Sequence, residues 1–490
     1  MRYLLGIDFG GGATKATLLD EAGALVAEHT VEYPTLHPEA GACEQRSEDW
    51  ISALCENTHA LLKKSGVNAS EIAAVAIDSA THTSLLCDAD FRPLCAAVHW
   101  TDSRAHLEAA MLREQYGEEI FEKTYHRPDT IWTLPQLLYI KNNRPDVFAK
   151  CRYIFFEKDY IRYFLTGVYC TDYIEAEGSM LFDLNRMVWD ERLCELCGIT
   201  ADMLPPIQAP TDIIGSVTEA ASAATGLAVG TPVICGTTDT VMEVFASGAV
   251  QPGDVTVKLA TAGRICVITD KAHPDKHLVN YSHIVKGLWY PGTATKAAAS
   301  SFRWYRDTFG GEYGALDEGA AGVAPGAEGL FFHPYINGEL TPYADPLLCG
   351  SFVGVRATHT RAHFTRAVLE GVCFSLLDSK RYLDKLAIPT ASTATLIGGG
   401  AKSPLWRQMI ADMLGMTLRV TKSSDSSLGS AMLAGVALGI FESPAAAVQA
   451  AVKNALVVTP NPAQTALYAT LFEKYKRKHD ALAPIYHENI

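Results

Sequence analysis

The chain has 490 residues, more than one ordinary hydrophobic core accommodates, so two domains are expected. With 48% apolar and 20% charged residues the composition is that of a soluble globular protein, and no run is long and uncharged enough to span a bilayer. A net charge of −14, from 41 Lys plus Arg against 55 Asp plus Glu, argues against a nucleic-acid groove, which demands a basic face.

A nucleotide is compatible with that charge, because it needs only local N–H donors, one or two cations and a metal ion. The opening MRYLLGIDFGGG does not read as a secretory leader: its apolar run is short, broken by Asp8 and followed by glycines. The 12 cysteines are scattered, which suits a reducing compartment and a cytoplasmic location. Cys194 and Cys197 form a lone C-x-x-C without a second pair, and read as buried thiols in preference to a zinc site.

Along the chain, residues 3–20 read as an apolar strand, a glycine turn and a second apolar strand. Within them Asp8-Phe9-Gly10-Gly11-Gly12-Ala13-Thr14-Lys15 places a carboxylate at a strand end before a tip of small residues. The amides of such a turn can cradle phosphate oxygens, and Asp8 can hold hydrated Mg²⁺; a plain hairpin with Asp8 and Lys15 solvated is the alternative. Residues 47–66 have helical periodicity, with Ser47 as cap and Gly66 as stop, and 71–80 read as a buried strand. His82 follows among the hydroxyls Thr81, Thr83 and Ser84, which favour a polar pocket over a core histidine. Trp100, Asp102 and Arg104 form a W-x-D-x-R block that also reads as a surface loop with a salt bridge. Trp132 suits either stacking on the apolar face of a ligand or plain packing.

A strand over 231–235 delivers Gly236-Thr237-Thr238-Asp239-Thr240. Asp239 then reads either as a helix cap or as a base that takes a proton from a hydroxyl nucleophile. The stretch 245–253 interrupts the pattern with Gly248, Pro252 and Gly253, dividing a first domain over 1–247 from a second over 248–490. Residues 254–270 repeat the opening strand–turn–strand, which predicts two related halves each presenting a small-residue tip. Long helices are predicted over 361–386 and 464–487. Gly398-Gly399-Gly400 lies between a buried strand and a helix capped by Ser403 and opened by Pro404, where a flat ligand can approach the backbone and the helix N-terminus favours phosphate. No Walker A or Rossmann fingerprint is present. The fold class is therefore α/β with two similar lobes.

Taken in order, GIDFGGGATKATLLDEAG, WTDSR, EKDYIRYFLTG, GTTD, HPYINGELTPYADP, GSFVGVRATHTRAHFTRAVLEGV and IGGGAKSPLWRQMIAD resemble the FGGY carbohydrate kinases, most of all their xylulose-kinase branch. The resemblance implies two ribonuclease-H-like domains of the actin/Hsp70-like ATPase fold closing over an interdomain cleft, with sugar mostly on the first and ATP mostly on the second. It implies Asp239 as catalytic base and sugar contact, and Asp8 with Asp239 as the Mg²⁺ side. Thr81, His82, Trp100, Asp102, Arg104 and Thr240 fall on the sugar side. Gly10, Gly11, Gly12, Thr14 and Lys15 fall on the first phosphate hairpin, Thr261 and Gly263 on the second, and Gly399, Gly400 and Ala401 on the adenosine loop. Trp304 takes a place where the family can set an aromatic beside the nucleotide.

Several positions depart from the family's pattern. Ala80 and Thr81 stand where Gln and Met are common, Thr240 for Asn, Gly11 and Gly12 for Thr-Ser, Lys258 and Ala260 for Ser and Gly, and Gln136 and Tyr139 for Lys and Trp. They leave the base, the metal carboxylate and the adenosine loop intact and the substrate open, with D-xylulose first and ribulose, other ketoses, erythritol-like polyols and gluconate as alternatives. A degenerate kinase serving as a nucleotide-dependent sugar sensor, an Hsp70-like chaperone ATPase and a dehydrogenase are the rival classes, in falling order. The expected partner is a small sugar, with neither nucleic acid nor membrane, and a homodimer is left open by the family's frequent dimers.

Overall fold

A computed structural model describes residues 1–488 of the chain, in two compact units. The first comprises Met1–Gly248, Tyr281–Lys286 and Ser423–Val452; the second comprises Ala249–Asn280, Gly287–Lys422 and Lys453–Ile490, of which the described part ends at 488. The first division thus falls within one residue of the break at 247 and 248. A single cut is nevertheless insufficient, because two later stretches return to the first unit. Residues 423–452 are apolar and small nearly all round, a composition that marks burial without marking where.

The first unit is built on a six-stranded sheet in the order Ile213–Ser216, Pro232–Thr238, Ile72–Ser79, Tyr3–Phe9, Ala13–Asp20, Leu25–Glu32. The three central strands, Pro232–Thr238, Ile72–Ser79 and Tyr3–Phe9, run parallel, so Thr238, Ser79 and Phe9 end on one edge. On one face Leu5, Ile7, Phe9, Leu18, Val75 and Ile77 join Trp50 and Leu54 of helix Ser47–Ser65 in an apolar core. Ser47 is the first helical residue and Arg46 precedes it without a side-chain cap; Gly66 does close the helix in the left-handed conformation. On the other face helix Ser426–Ala437 packs against Tyr3–Phe9, Ile72–Ser79 and helix Asp239–Ala246. A Cβ at Gly6 would lie 2.0 Å from Ser427 O, so backbone rests on backbone there.

The second unit carries a five-stranded sheet in the order Gly263–Val267, Val255–Leu259, Thr393–Ile397, Thr417–Thr421, Asn454–Val458. It repeats the first sheet's plan: an antiparallel hairpin, two parallel additions to its first strand, then an antiparallel edge. The buried helix Arg361–Lys385 runs through this unit's core with Phe331, Phe332, Phe374 and Trp406. The last helix, Pro462–His487, is capped by Asn461 and buries Tyr468, Phe472 and Tyr475. No helix among the described residues is long and apolar enough to cross a membrane. Cys194 and Cys197 are buried free thiols, and among the described residues no cluster of three ligating side chains forms a metal cage.

Candidate active site

Parallel pairing sets Asp8 directly opposite Asp78 at the carboxyl end of adjacent strands, and Asp239 follows the last residue of the next strand over. The strand Pro232–Thr238 carries an irregularity between Ile234 and Thr237. Gly236 makes it possible, with φ of +70° and a position where a Cβ would meet Ile77 O at 2.0 Å. A bulge of this kind re-aims the residues that follow it. Burial pushes the Asp8 carboxyl up to about 8, opposed by its hydrogen bond with Asp78 and reinforced by the charges of Asp425 and Asp239. Asp78 lies well above the usual carboxylate range, through burial and the charge of Asp8, and accepts from Ser430. One proton shared across the pair accounts for both directions. Asp8 Oδ1 is buried and takes no hydrogen bond.

Asp239 is the first residue of its helix, not the cap; Thr238 holds the cap position, without a side-chain bond. Asp239 Oδ1 accepts from Thr81 Oγ1 (3.1 Å), Thr240 N (2.6 Å) and Thr240 Oγ1 (3.2 Å). Its Oδ2 takes no hydrogen bond among the described residues, and the side chain is half-buried. One oxygen is thereby fixed and the other left available.

Beside Thr81 the chain turns through His82, whose φ of +51° is unusual for a residue with a side chain. Its N–H donates to buried Glu175, and its ring lies 5.0 Å from Trp132. Burial, then His126 and His99, hold the His82 imidazole down to about 3, and burial holds His99 to about 4, so both are neutral at pH 7. Trp132 stacks on His126 at 4.4 Å and donates from Nε1 to Arg127 O (2.9 Å), which fixes it in the wall. A Cβ at Gly178 would lie 2.6 Å from His82 Cδ2, 2.9 Å from Thr81 Cγ2 and 3.2 Å from the Tyr281 hydroxyl, so these groups converge. Glu175, Gly178, His99, His126 and Tyr281 were absent from the sequence reading. Glu175 and Glu177 within a buried run are the signal that was there to find.

Behind this wall a fully buried charge network supports the base-bearing strand. Lys158 pairs with Asp159 (2.6 Å) and Asp172 (2.9 Å), Arg162 with Asp159 (3.0 Å), and Asp172 Oδ1 accepts from Thr237 Oγ1 (2.7 Å). Removing one partner from such a network strands a charge, which is costly.

Other residues expected on the sugar and phosphate sides make contacts within the protein. Asp102 accepts from Cys43 N (2.8 Å) and binds Arg104, whose remaining donors reach Glu39 (2.9 Å) and Glu44 (2.6 Å). That network ties a loop together and leaves the guanidinium committed, in accord with the salt-bridge alternative. Trp100 is 41% exposed beside His99. Lys15 is drawn to Glu28 (2.8 Å) and Asp425 (3.5 Å), and Thr14 is fully buried. The carbonyls of Gly10 and Gly11 accept from Tyr33 and Thr35, while the amides of Gly11 and Gly12 make no hydrogen bond among the described residues. A Cβ at Gly11 or Gly12 would meet nothing closer than 3.6 Å, so space for the missing side chains is present.

The second unit holds a cavity of about 730 Å³ against its own hairpin and glycine loop. Its lining includes Ala260, Thr261 and Ser300, the glycines Gly399 and Gly400, the aromatics Phe302, Tyr313 and Trp406, and the cations Arg303 and Lys402. Gly398 and Gly400 sit on Leu259, where a Cβ would come within 2.6 Å and 2.5 Å. Only glycine permits that approach. Ser403 caps helix Pro404–Leu414 by accepting from Trp406 N (3.1 Å). Asp317 also lines the cavity, with a buried Oδ1 that has no hydrogen-bond partner. Three expectations shift here. Trp304 does not line the cavity: it stacks toward Phe332 and Phe309, because one residue's helical turn separates it from Phe302 and Arg303, which do. Gly263 is packed against Thr295 and Leu376, and Ala401 is buried in the core.

Comparison with known proteins matches residues 3–246 to the N-terminal domain and 233–438 to the C-terminal domain of the FGGY family of carbohydrate kinases. A xylulose kinase of Bacillus subtilis is 33% identical over 97% of this chain and 96% of its own length. A gluconokinase of the same organism is 29% identical over 90% and 88%. Crystal structures of a gluconate kinase and a xylulose kinase from Lactobacillus acidophilus each superpose with a TM-score of 0.93 at 27% identity, covering 99% and 100% of both chains respectively.

Proposed function

Since the chain belongs to the FGGY family of carbohydrate kinases and is similar to xylulose kinases along nearly its whole length, we propose that it phosphorylates D-xylulose to xylulose 5-phosphate with ATP. That the chain is a carbohydrate kinase follows from the family; the sugar and the residue roles are our reading. The observation that carries them is Asp239: Oδ1 pinned by three donors, Oδ2 available, placed beside Asp8 at the shared strand edge.

In this reading Asp239 Oδ2 accepts the proton of the terminal hydroxyl as the phosphoryl group arrives, and phosphoryl transfer asks for little beyond such a base, alignment and charge stabilisation. Thr81 and Thr240 hold the carboxylate in its orientation. His82 and Trp132 shape the pocket for the remainder of the sugar. The adenosine would lie on Gly399 and Gly400 among Phe302, Tyr313 and Trp406, with phosphates toward Thr261 and Ser300. The oxygen donors at the strand edge fit hydrated Mg²⁺, which takes one or two carboxylates and keeps water and phosphate on its other positions. Asp8, with its unpaired buried oxygen, and Asp239 would hold it through water, and when bound it neutralises charge on the β- and γ-phosphates. The repeated hairpin-and-parallel plan of the two sheets supports reading both units as ribonuclease-H-like, as in the actin/Hsp70-like ATPases.

The test is ADP release with Mg·ATP over a panel of pentuloses, hexuloses, polyols and sugar acids. Asp239→Asn should lower kcat by roughly 100- to 10,000-fold with the fold intact. Sugar binding without turnover across the panel would favour the sensor reading, for which Gly11 and Gly12 are the motivation.

A further inference from the structure

Relatives named for xylulose and for gluconate are similar to this chain at 33% and 29% identity, so likeness alone does not divide a neutral ketose from a sugar acid. The charges in the first unit do. We propose that the wall around Asp239 selects neutral polyhydroxy substrates and rejects aldonates, the rejection arising from a pocket in which every buried cation is already matched. The inference rests on Asp239 marking the sugar site.

Several elements of this unit contribute buried or part-buried carboxyl groups. Asp8 comes from Tyr3–Phe9, and Glu157 and Glu175 from the helices Glu157–Thr166 and Tyr173–Gly178. Glu175 accepts from His82 N and Glu157 from the Tyr33 hydroxyl (3.2 Å), so these side chains bring no positive charge to the wall. The side chains converging at Gly178 are a threonine, a neutral imidazole and a tyrosine, which donate to or accept from hydroxyls and offer an anion no charge.

The cations are spent. Lys158 and Arg162 are fully buried in pairs with Asp159 and Asp172. Lys15 is held by Glu28 and Asp425, and Arg104 by Asp102, Glu39 and Glu44. Arg127, which follows His126, is exposed and stands outside this buried set. A substrate carboxylate placed here would give up water without a cation to replace it, the arrangement by which sites reject a wrong ligand. A ketose or polyol gives up only hydroxyl hydration, which the wall replaces.

Pairs of compounds that share a skeleton and differ in one terminal group isolate the charge: xylitol against D-xylonate, and D-glucitol against D-gluconate. Their inhibition constants against the best substrate, or calorimetric affinities if no sugar is turned over, should favour the neutral member of each pair by at least tenfold. D-gluconate should be phosphorylated, if at all, with kcat/KM at least a hundredfold below the best ketose. An acid that binds as well as its neutral partner, or failure of both members to bind, overturns the proposal. Loss of all turnover with the neutral preference retained would instead overturn the kinase roles proposed above and leave the selectivity standing.

Discussion

Gly178 shows how little the sugar wall has to spare. Any side chain there drives into the His82 ring and the Thr81 methyl, and Thr81 donates to Asp239, the base in the function proposed above. Gly178→Ala should therefore raise KM for the sugar by about tenfold while leaving KM for ATP near its wild-type value, in steady-state kinetics varying each substrate; an unchanged sugar KM would place the sugar elsewhere. Thr81 separates hydrogen bonding from shape. Thr81→Val keeps the volume and loses the donor to Asp239, so kcat should fall by about 3- to 30-fold, a loss of roughly 1–2 kcal/mol. Thr81→Ser should restore most of it. Asp239 and His82 stand out in the sequence because each follows a strand in a run of small or polar residues. Gly178 and Glu175 do not, because their significance lies in contacts from segments nearly a hundred residues away. Trp304 stands outside the cavity lining for a local reason: a motif gives the helix but not which of its faces turns to the cavity.

At the scale of elements, helix Ser426–Ala437 packs against the strand that carries Asp8 and the helix that begins with Asp239. It seats on the sheet through Gly6 and on helix Asp239–Ala246 through Gly429, where a Cβ would lie 2.4 Å from Met242 O. Its N-cap, Asp425, holds Ser427 N (3.1 Å) and Lys15, and its first turn adjoins Asp8. Gly429→Ala must push the two helices apart and should destabilise the protein by about 1–3 kcal/mol, read as a lowered midpoint in denaturant melts. Because the displaced helix carries Asp239 at its start, specific activity should fall along with stability; Gly117→Ala, inside helix His106–Thr124 where a Cβ would meet nothing closer than 4.0 Å, is the control and should change neither by much. Strands and helices themselves were readable from apolar runs, caps and glycine stops. The return of 423–452 to the first unit was not, since an evenly apolar helix advertises that it is buried without naming its partner.

For the molecule as a whole, buried carboxylates and buried imidazoles set opposite limits on stability. Burial pushes Glu177 up to about 8 and Glu339 up to about 7, one in each unit. Below an ordinary glutamate's range both folded and unfolded chains carry these protons, and nothing is gained or lost. As pH rises through about 4.5 to 8 the unfolded chain releases them while the folded chain retains them, so the folded state binds more protons and stability falls. The buried imidazoles act from the other side. His82 is held to about 3, His99 to about 4 and His333 to about 4, chiefly by burial, so each is neutral when folded. As pH falls below about 6.5 the unfolded chain takes up protons that the folded chain refuses, and stability is lost again. Each pH unit of difference is worth about 1.4 kcal/mol per group, and Asp8, pushed up to about 8, adds to the carboxyl side, so the two sets oppose one another between about pH 4.5 and 6.5 and stability should fall above that range. Glu177→Gln keeps an acceptor for Ser282 N, which the carboxylate meets at 2.7 Å, and removes the titration. Thermal melts should then show a higher midpoint than wild type at pH 8 and none at pH 5. The same gain at both values would mean that Glu177 is ionised in the folded protein throughout, and that Gln at 177 stabilises by packing.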